Sequence, residues 1–280
     1  GGVGLRVGFV EGEAVVSAGR AVYDPQGWRG PRDFAENGST AGELALVLNE
    51  AELEAMGGAG QVDDAARDLI RSGRATSVIV KRGFRGAVVV DSALRLHYVP
   101  AFRSERVFKI GTGDVFSASF AHHWGVERRA PEAAARAASL SVAQYASFGS
   151  FDVAPSSSEP PEVGGRPLGQ VVVIGATDAI GSRYVLEEAV FRLRELGVDA
   201  LASSPSLDAK NAAATLILAD GMTAQAVAES LDAACSGSPV VVLRESATAA
   251  ALPMGAALDV TDDFTTALYR VAWAASGPEA

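Results

Sequence analysis

The chain has 280 residues, 48% of them hydrophobic and 21% charged, a length that two compact domains fill more comfortably than one. Its 34 acidic against 24 basic side chains give a formal charge of −10, and no Lys/Arg run breaks that sign, which argues against a nucleic-acid partner. No apolar run approaches the roughly 20 residues that span a bilayer, so no membrane role is expected. The single cysteine, Cys235, excludes an intrachain disulfide and suits packing in a reducing, cytoplasmic setting. The opening Gly-Gly-Val-Gly-Leu-Arg has no signal-peptide regions and no initiator Met, so the chain is expected to begin partway through a gene product.

In chain order, 20–24 reads as a short strand ending in the turn Asp24-Pro25-Gln26-Gly27, and 44–48 is a second apolar run. Ala66, Leu69 and Ile70 recur at helical spacing within 65–72. The β-branched runs 77–81 and 86–91 flank Arg82-Gly83-Phe84-Arg85 and predict a hairpin. Helices are predicted over 114–124 and over 131–147, the latter opening on Pro131. The stretch 153–169 holds four prolines, three glycines and three serines, which predicts a linker. Beyond it come strands at 170–174, 200–203, 213–219 and 239–243 and helices at 184–196, 224–234 and 262–275. Continuous apolar strands between helices predict a parallel sheet covered on both faces. The expected fold is therefore α/β in both halves.

The informative string is Lys109-Ile110-Gly111-Thr112-Gly113-Asp114, set just before a helix. Gly111 and Gly113 let backbone N–H groups approach an anion with no Cβ in the way. The helix N-terminus adds unpaired donors and partial positive charge suited to a transferring phosphoryl group. In that turn Asp114 is placed to accept the proton of an attacking hydroxyl. An N-capping turn with an acidic residue favoured by the helix dipole explains the same string equally well.

Three further stretches accompany it: Asn49-Glu50-Ala51-Glu52 after the 44–48 run, Lys81-Arg82-Gly83-Phe84-Arg85-Gly86-Ala87 in the hairpin, and Asp24-Pro25-Gln26. Together, over about residues 20–150, they resemble the ribokinase-like (PfkB-type) kinases of sugars and nucleosides. The resemblance implies ATP and Mg²⁺ as cofactors and a small sugar or nucleoside as substrate. It implies Asp114 as catalytic base and Gly111, Thr112 and Gly113 as the anion hole. It further implies Asn49 and Glu52 as the pair that organises Mg²⁺, with Lys81 and Gly83 near the nucleotide. The usual Asp-Thr-Thr before the glycines is replaced by Phe108-Lys109-Ile110, where Lys109 offers a charge instead. The family's N-terminal half, which carries most substrate contacts, is expected to be missing. His97, His122 and His123 are expected to be structural, because no ligand spacing joins them and adjacent residues on an α-helix point apart.

After the linker, Gly175-Ala176, Arg183, Leu186-Glu187-Glu188-Ala189, Leu196-Gly197, Ser204-Pro205, Asp220-Gly221, Glu229 and Ser238-Pro239 resemble a nucleoside 2-deoxyribosyltransferase-like domain. That likeness implies Glu229 as a carboxylate acting at the anomeric carbon and Asp220 as its partner. Thr223, Gln225, Ala226 and Leu231 stand where that family has other residues, so a module that binds nucleosides without cleaving them is an equal expectation. The expected organisation is a partial kinase domain over 1–152, a linker over 153–169, and a smaller doubly wound parallel-sheet domain over 170–280. Either half by analogy allows a homodimer. The main alternatives are an N-glycosidase or deoxyribosyltransferase with a non-catalytic kinase-like half, and a nucleotide sensor without catalysis.

Overall fold

A computed structural model describes the chain except residues 1, 9–13, 27–29, 58–59, 151–157, 204–211, 235–237, 247–251, 253–257 and 278–280. Cys235 and the Ser204-Pro205 pair lie outside the described residues. The chain forms two compact units, Gly1–Ser104 with Lys109–Glu162, and Glu105–Phe108 with Val163–Ala280.

The first unit is built on β1 (Val3–Val7), β2 (Ser17–Asp24), β3 (Thr40–Asn49), β4 (Ser77–Lys81), β5 (Ala87–Val90) and β6 (Leu96–Val99), hydrogen-bonded in that order. The first four are parallel, and β5 and β6 return antiparallel. Side chains alternate across a strand, and the sequence uses that period of two. Leu46 and Leu48 face α1 (Glu50–Gly57) and α2 (Val62–Arg71), joining Leu53 and Leu69 in one core layer. Ala45 and Val47 face the opposite layer, made by α3 (Thr112–Phe120), the π-helical turn Ala121–Val126, and α4 (Pro131–Phe148). The helix expected over 114–124 thus starts as α and widens into π from Ala121. Among the elements that went unpredicted in this unit are α1, β1 and β6. The two strands, β1 and β6, lie at sheet edges, where partly exposed residues blur the apolar signal.

Beside this sheet runs the short β7 (Ala101–Phe102). The Pro/Gly/Ser-rich stretch carries two-residue strands, β8 (Glu162–Val163) and β9 (Arg166–Pro167). The second unit has a five-stranded parallel sheet ordered β11-β10-β12-β13-β14, from β10 (Val171–Gly175), β11 (Ala200–Ser203), β12 (Ala214–Leu218), β13 (Val240–Leu243) and β14 (Asp259–Thr261). Helices α5 (Ile180–Glu195) and α7 (Phe264–Ala274) lie on one face. The other face is covered by α6 (Ala224–Ala234) through Val227 and Leu231 against Ile174, Ile217 and Val242. A last short strand, β15 (Ser276–Gly277), pairs antiparallel with β9. The chain is α/β throughout, with parallel pairing dominant in both large sheets.

Candidate active site

In the first unit, β2, β3 and β4 run parallel side by side, so their C-terminal ends deliver Asp24, Asn49 and Lys81 to one edge of the sheet. Helix α3 begins at the same edge. Gly111 is its N-cap, at φ +80° in the left-handed region where only glycine sits without strain. Helix geometry leaves the first-turn amides of Gly113 and Asp114 without an intrahelical acceptor. Thr112 closes the bend with its hydroxyl on the Lys109 carbonyl at 2.9 Å. The Tyr145 hydroxyl of α4 donates to the Ile110 carbonyl at 3.0 Å, pinning the turn from the other side.

A polar chain links this turn to the sheet. Lys81 Nζ donates to Asp24 Oδ2 at 2.8 Å, and Ser117 Oγ, one turn into α3, donates to the same oxygen at 2.6 Å. Gln26 Nε2 bridges Asp24 Oδ2 at 3.4 Å and Asp114 Oδ1 at 3.1 Å. A Cβ placed on Gly113 would stand 3.7 Å from Lys81 Nζ. The lysine cation therefore lies beside the free amides at the helix start, a charge arrangement that holds an anion. Asp24 is fully buried, and its Oδ1 has no hydrogen-bond partner. Asp114 is exposed at the mouth of this group.

Asn49 and Glu52 form a reciprocal cap on α1. Glu52 Oε2 accepts the Asn49 N–H at 2.7 Å, and Asn49 Oδ1 accepts the Glu52 N–H at 2.8 Å. The Asn-x-x-Glu spacing is thus also a helix-start device. Burial raises the Glu52 carboxyl above its ordinary value, and the Asp24 carboxylate adds to that push. The Asn49 hydrogen bond and the Lys81 charge oppose it without cancelling it.

Gly83 opens a 3-10 turn, exposed and at φ +59°, between β4 and β5. Its flanking Arg82 and Arg85 both pair with Glu50, at 3.2 and 2.6 Å, which ties the turn to the start of α1. Beside Gly111 and Asp114 a cleft of about 580 Å³ is lined further by Ser141 and Tyr145, within the size range of small-molecule sites. Lys109 is exposed.

Sequence reasoning noticed Asp24-Pro25-Gln26 as a turn and gave neither acid nor amide a role. Ser117 it passed over, because serine inside a helix carries no signal without the carboxylate it meets.

In the second unit Asp220 follows β12 and spends both oxygens on backbone amides, accepting from Glu245 N and Ser246 N at 2.8 Å each. Glu229 is exposed on α6 and accepts from Gln225 at 2.9 Å. Among the described residues no hydrogen bond or ion pair joins Glu229 to Asp220. The acid that feels Asp220 is Glu245, which the sequence reading missed. Desolvation raises its carboxyl, with Asp220, Asp263 and Asp262 adding repulsion. Three separate loops supply that group, so no spacing along the chain announces it.

Two of the three histidines depart from the expected orientation. His97 lies near Asp91, at 3.4 Å, as a structural residue would. His122 and His123 were expected to point apart, yet both reach Glu127 because the π turn rotates them together.

Comparison with known proteins finds a family likeness that falls largely within the first unit. Residues 43–154 match the family model described as pfkB family carbohydrate kinase. No curated protein matches the chain. Among solved structures, the ribokinase of Thermotoga maritima is 25% identical, over 51% of this chain and 46% of its own, with a TM-score of 0.39. Arabidopsis thaliana ribokinase, solved with ribose and ATP, is 20% identical over 47% and 42%, with a TM-score of 0.40. An adenosine kinase of Sinorhizobium meliloti is 19% identical over 48% and 50%, with a TM-score of 0.36. The chain spans about half the length of these structures. The family match makes residues 43–154 similar to the pfkB family carbohydrate kinases.

Proposed function

We propose that the protein is an ATP-dependent phosphotransferase that acts on a hydroxyl of a sugar or nucleoside. The observation that carries this reading is the meeting of Lys81, the Gly113 and Asp114 amides, and the Asp114 carboxylate at one sheet edge, linked by Gln26 and Asp24. Phosphoryl transfer asks mainly for positioning and charge stabilisation. Lys81 and the helix-start amides would bind the terminal phosphate and take up charge that grows on its oxygens. Asp114 would hold the acceptor hydroxyl and receive its proton. The exposed position of Asp114 leaves room for an acceptor in front of it. The cleft beside Gly111 would seat the nucleotide.

The donor set fits Mg²⁺. Asp24 presents a buried carboxylate oxygen without a partner, and Glu52 carries a carboxyl that burial makes costly to ionise, a cost that a hard cation would offset. Asp24 and Glu52, with Asn49 fixing Glu52, would hold the ion, which when bound would neutralise charge on the phosphate oxygens. For the second unit we propose a nucleoside-binding module. Its parallel strand order reverses between β10 and β12, and crevices at such points favour small ligands. Hydrolysis there is less favoured, because Asp220 is committed to two backbone amides.

The test is Asp114→Asn in the full-length protein, assayed for ATP-dependent phosphorylation over a panel of sugars and nucleosides, with ATP affinity followed by calorimetry. Turnover is expected to fall by about 10²–10⁴-fold with ATP affinity nearly unchanged. Unchanged turnover on every accepted substrate would remove Asp114 as the base.

A further inference from the structure

We propose that His122, His123 and Glu127 form a binding site for a divalent transition metal of the zinc class, separate from the phosphate-binding edge. The three offer ligand atoms that all lie within 4.8 Å of one another. His122 Nε2 is 3.2 Å from Glu127 Oε1, and His123 Nδ1 is 2.9 Å from Glu127 Oε2. In a tetrahedral zinc site with bonds near 2.0–2.1 Å, neighbouring ligand atoms stand about 3.3 Å apart. Both histidine–glutamate spacings, one to each carboxylate oxygen, fall near that value.

The backbone explains how adjacent histidines converge. Helix α3 gives way to the π turn, closed by Glu127 N on the His122 carbonyl and Arg129 N on the His123 carbonyl, both at 3.0 Å. An α-helix would carry His123 alone to the face of Glu127, four residues on. The wider π turn brings His122, five residues before Glu127, to the same acid, and such turns recur at functional sites. Arg128 ends the turn in the left-handed region, at φ +62°.

The turn is anchored from within. Trp124 is buried, stacks on Phe120 at 5.9 Å between centroids, and gives its carbonyl to Arg20 at 2.9 Å. That anchorage keeps the histidines outward and limits the ordering cost of binding. Arg129 Nε holds Glu127 Oε2 at 2.7 Å, a position from which it orients the carboxylate behind a bound ion.

Two imidazoles and one carboxylate suit zinc, nickel or copper better than Mg²⁺. His122 lies eight residues beyond Asp114, about 12 Å along the helix axis, so the site is distinct from the phosphate end. On binding, each imidazole gives up any proton on its ligating nitrogen to solvent. The ion would replace the direct histidine–glutamate hydrogen bonds as the clasp at the end of α3.

The experiment uses the full chain carrying Cys235→Ser, stripped with chelator and kept in excess Mg²⁺ so that oxygen sites are filled. Co²⁺ is followed by its visible absorption and Zn²⁺ by calorimetry. One saturable equivalent is expected, lost in His122→Asn/His123→Asn and weakened at least ~10-fold by Glu127→Gln. In the parent chain, Zn²⁺ is also expected to protect His122 and His123 from diethyl pyrocarbonate, read by peptide mass spectrometry, a measurement that needs no variant to fold. The proposal fails if no equivalent binds, if the double variant binds as well as its parent, or if neither histidine is protected.

Discussion

Asp24 is the residue on which the first unit's polar edge converges, receiving Lys81, Ser117 and Gln26 while fully buried. Lys81→Met would leave its charge uncompensated, and breaking such a buried pair costs about 3 kcal/mol or more. Chemical denaturation should show that loss, and adding Asp24→Asn should recover part of it, because the double variant buries no lone charge. Glu52 makes a prediction of opposite electrostatic sense. Its carboxyl is raised above the ordinary value of 4.5, so its protonated form favours the folded state. That contribution is present at low pH and fades as pH rises through the raised value. Without Mg²⁺, Glu52→Gln should therefore gain stability relative to the parent as pH climbs above ~4.5, whatever constant offset the altered cap adds. Mg²⁺ should raise the parent's melting temperature more at neutral than at acidic pH, and Glu52→Gln should lose that increment. At this scale the sequence was partly legible. Asp114 and Lys81 stood out because glycines and a strand end framed them. Asp24 and Ser117 did not, since their meaning lies in a meeting 93 residues apart along the chain.

Strands buried on both faces were legible, because such burial forces the β-branched runs of β4 and β5 and the apolar run of β3. The Gly83–Arg85 turn between β4 and β5 was expected from its glycines, and the structure gives the second of them a separate reason. Gly86 adopts φ +87°, and a Cβ there would overlap the Val99 carbonyl oxygen and stand 2.7 Å from Ala101 N, both backbone atoms that cannot swing away. Gly86→Ala should cost at least ~3 kcal/mol, seen as a lowered denaturation midpoint with an unchanged slope. Gly111 is different. Its added Cβ would meet only the Tyr145 hydroxyl at 3.1 Å, so Gly111→Ala chiefly carries the left-handed backbone penalty of about 1–2 kcal/mol. Turnover should fall further than stability accounts for, because the amides after Gly111 would turn away from the phosphate. The π turn was not legible. Nothing in Ala121-His122-His123-Trp124 separates π from α until Trp124 meets Arg20 of β2.

For the molecule as a whole, composition suggested a linker over 153–169, the two compact units divide between Glu162 and Val163, and the excursion at Glu105–Phe108 left no compositional trace. The chain leaves the first unit after Ser104, contributes four residues to the second, and returns at Lys109, two residues before the Gly111 bend. Within the second unit that segment is held by named bonds. Val107 N donates to the buried Thr266 hydroxyl at 2.9 Å, Arg106 pairs with Asp262 at 2.6 Å, and Arg270 donates to the Glu105 carbonyl at 2.7 Å. Thr266 in turn donates its hydroxyl hydrogen bond to Asp263 Oδ1 at 2.5 Å. Thr266→Val keeps the shape and removes the acceptor, leaving the Val107 amide buried without a partner at a cost of about 1–3 kcal/mol. Hydrogen exchange should quicken at Val107, and phosphorylation should slow through altered positioning of the Gly111 turn, although Thr266 lies 152 residues from Asp114 in sequence. Thr266→Ser, which keeps the hydroxyl, should restore both. If exchange at Val107 rises and turnover holds constant, the segment is a structural tie alone, and the two units work independently.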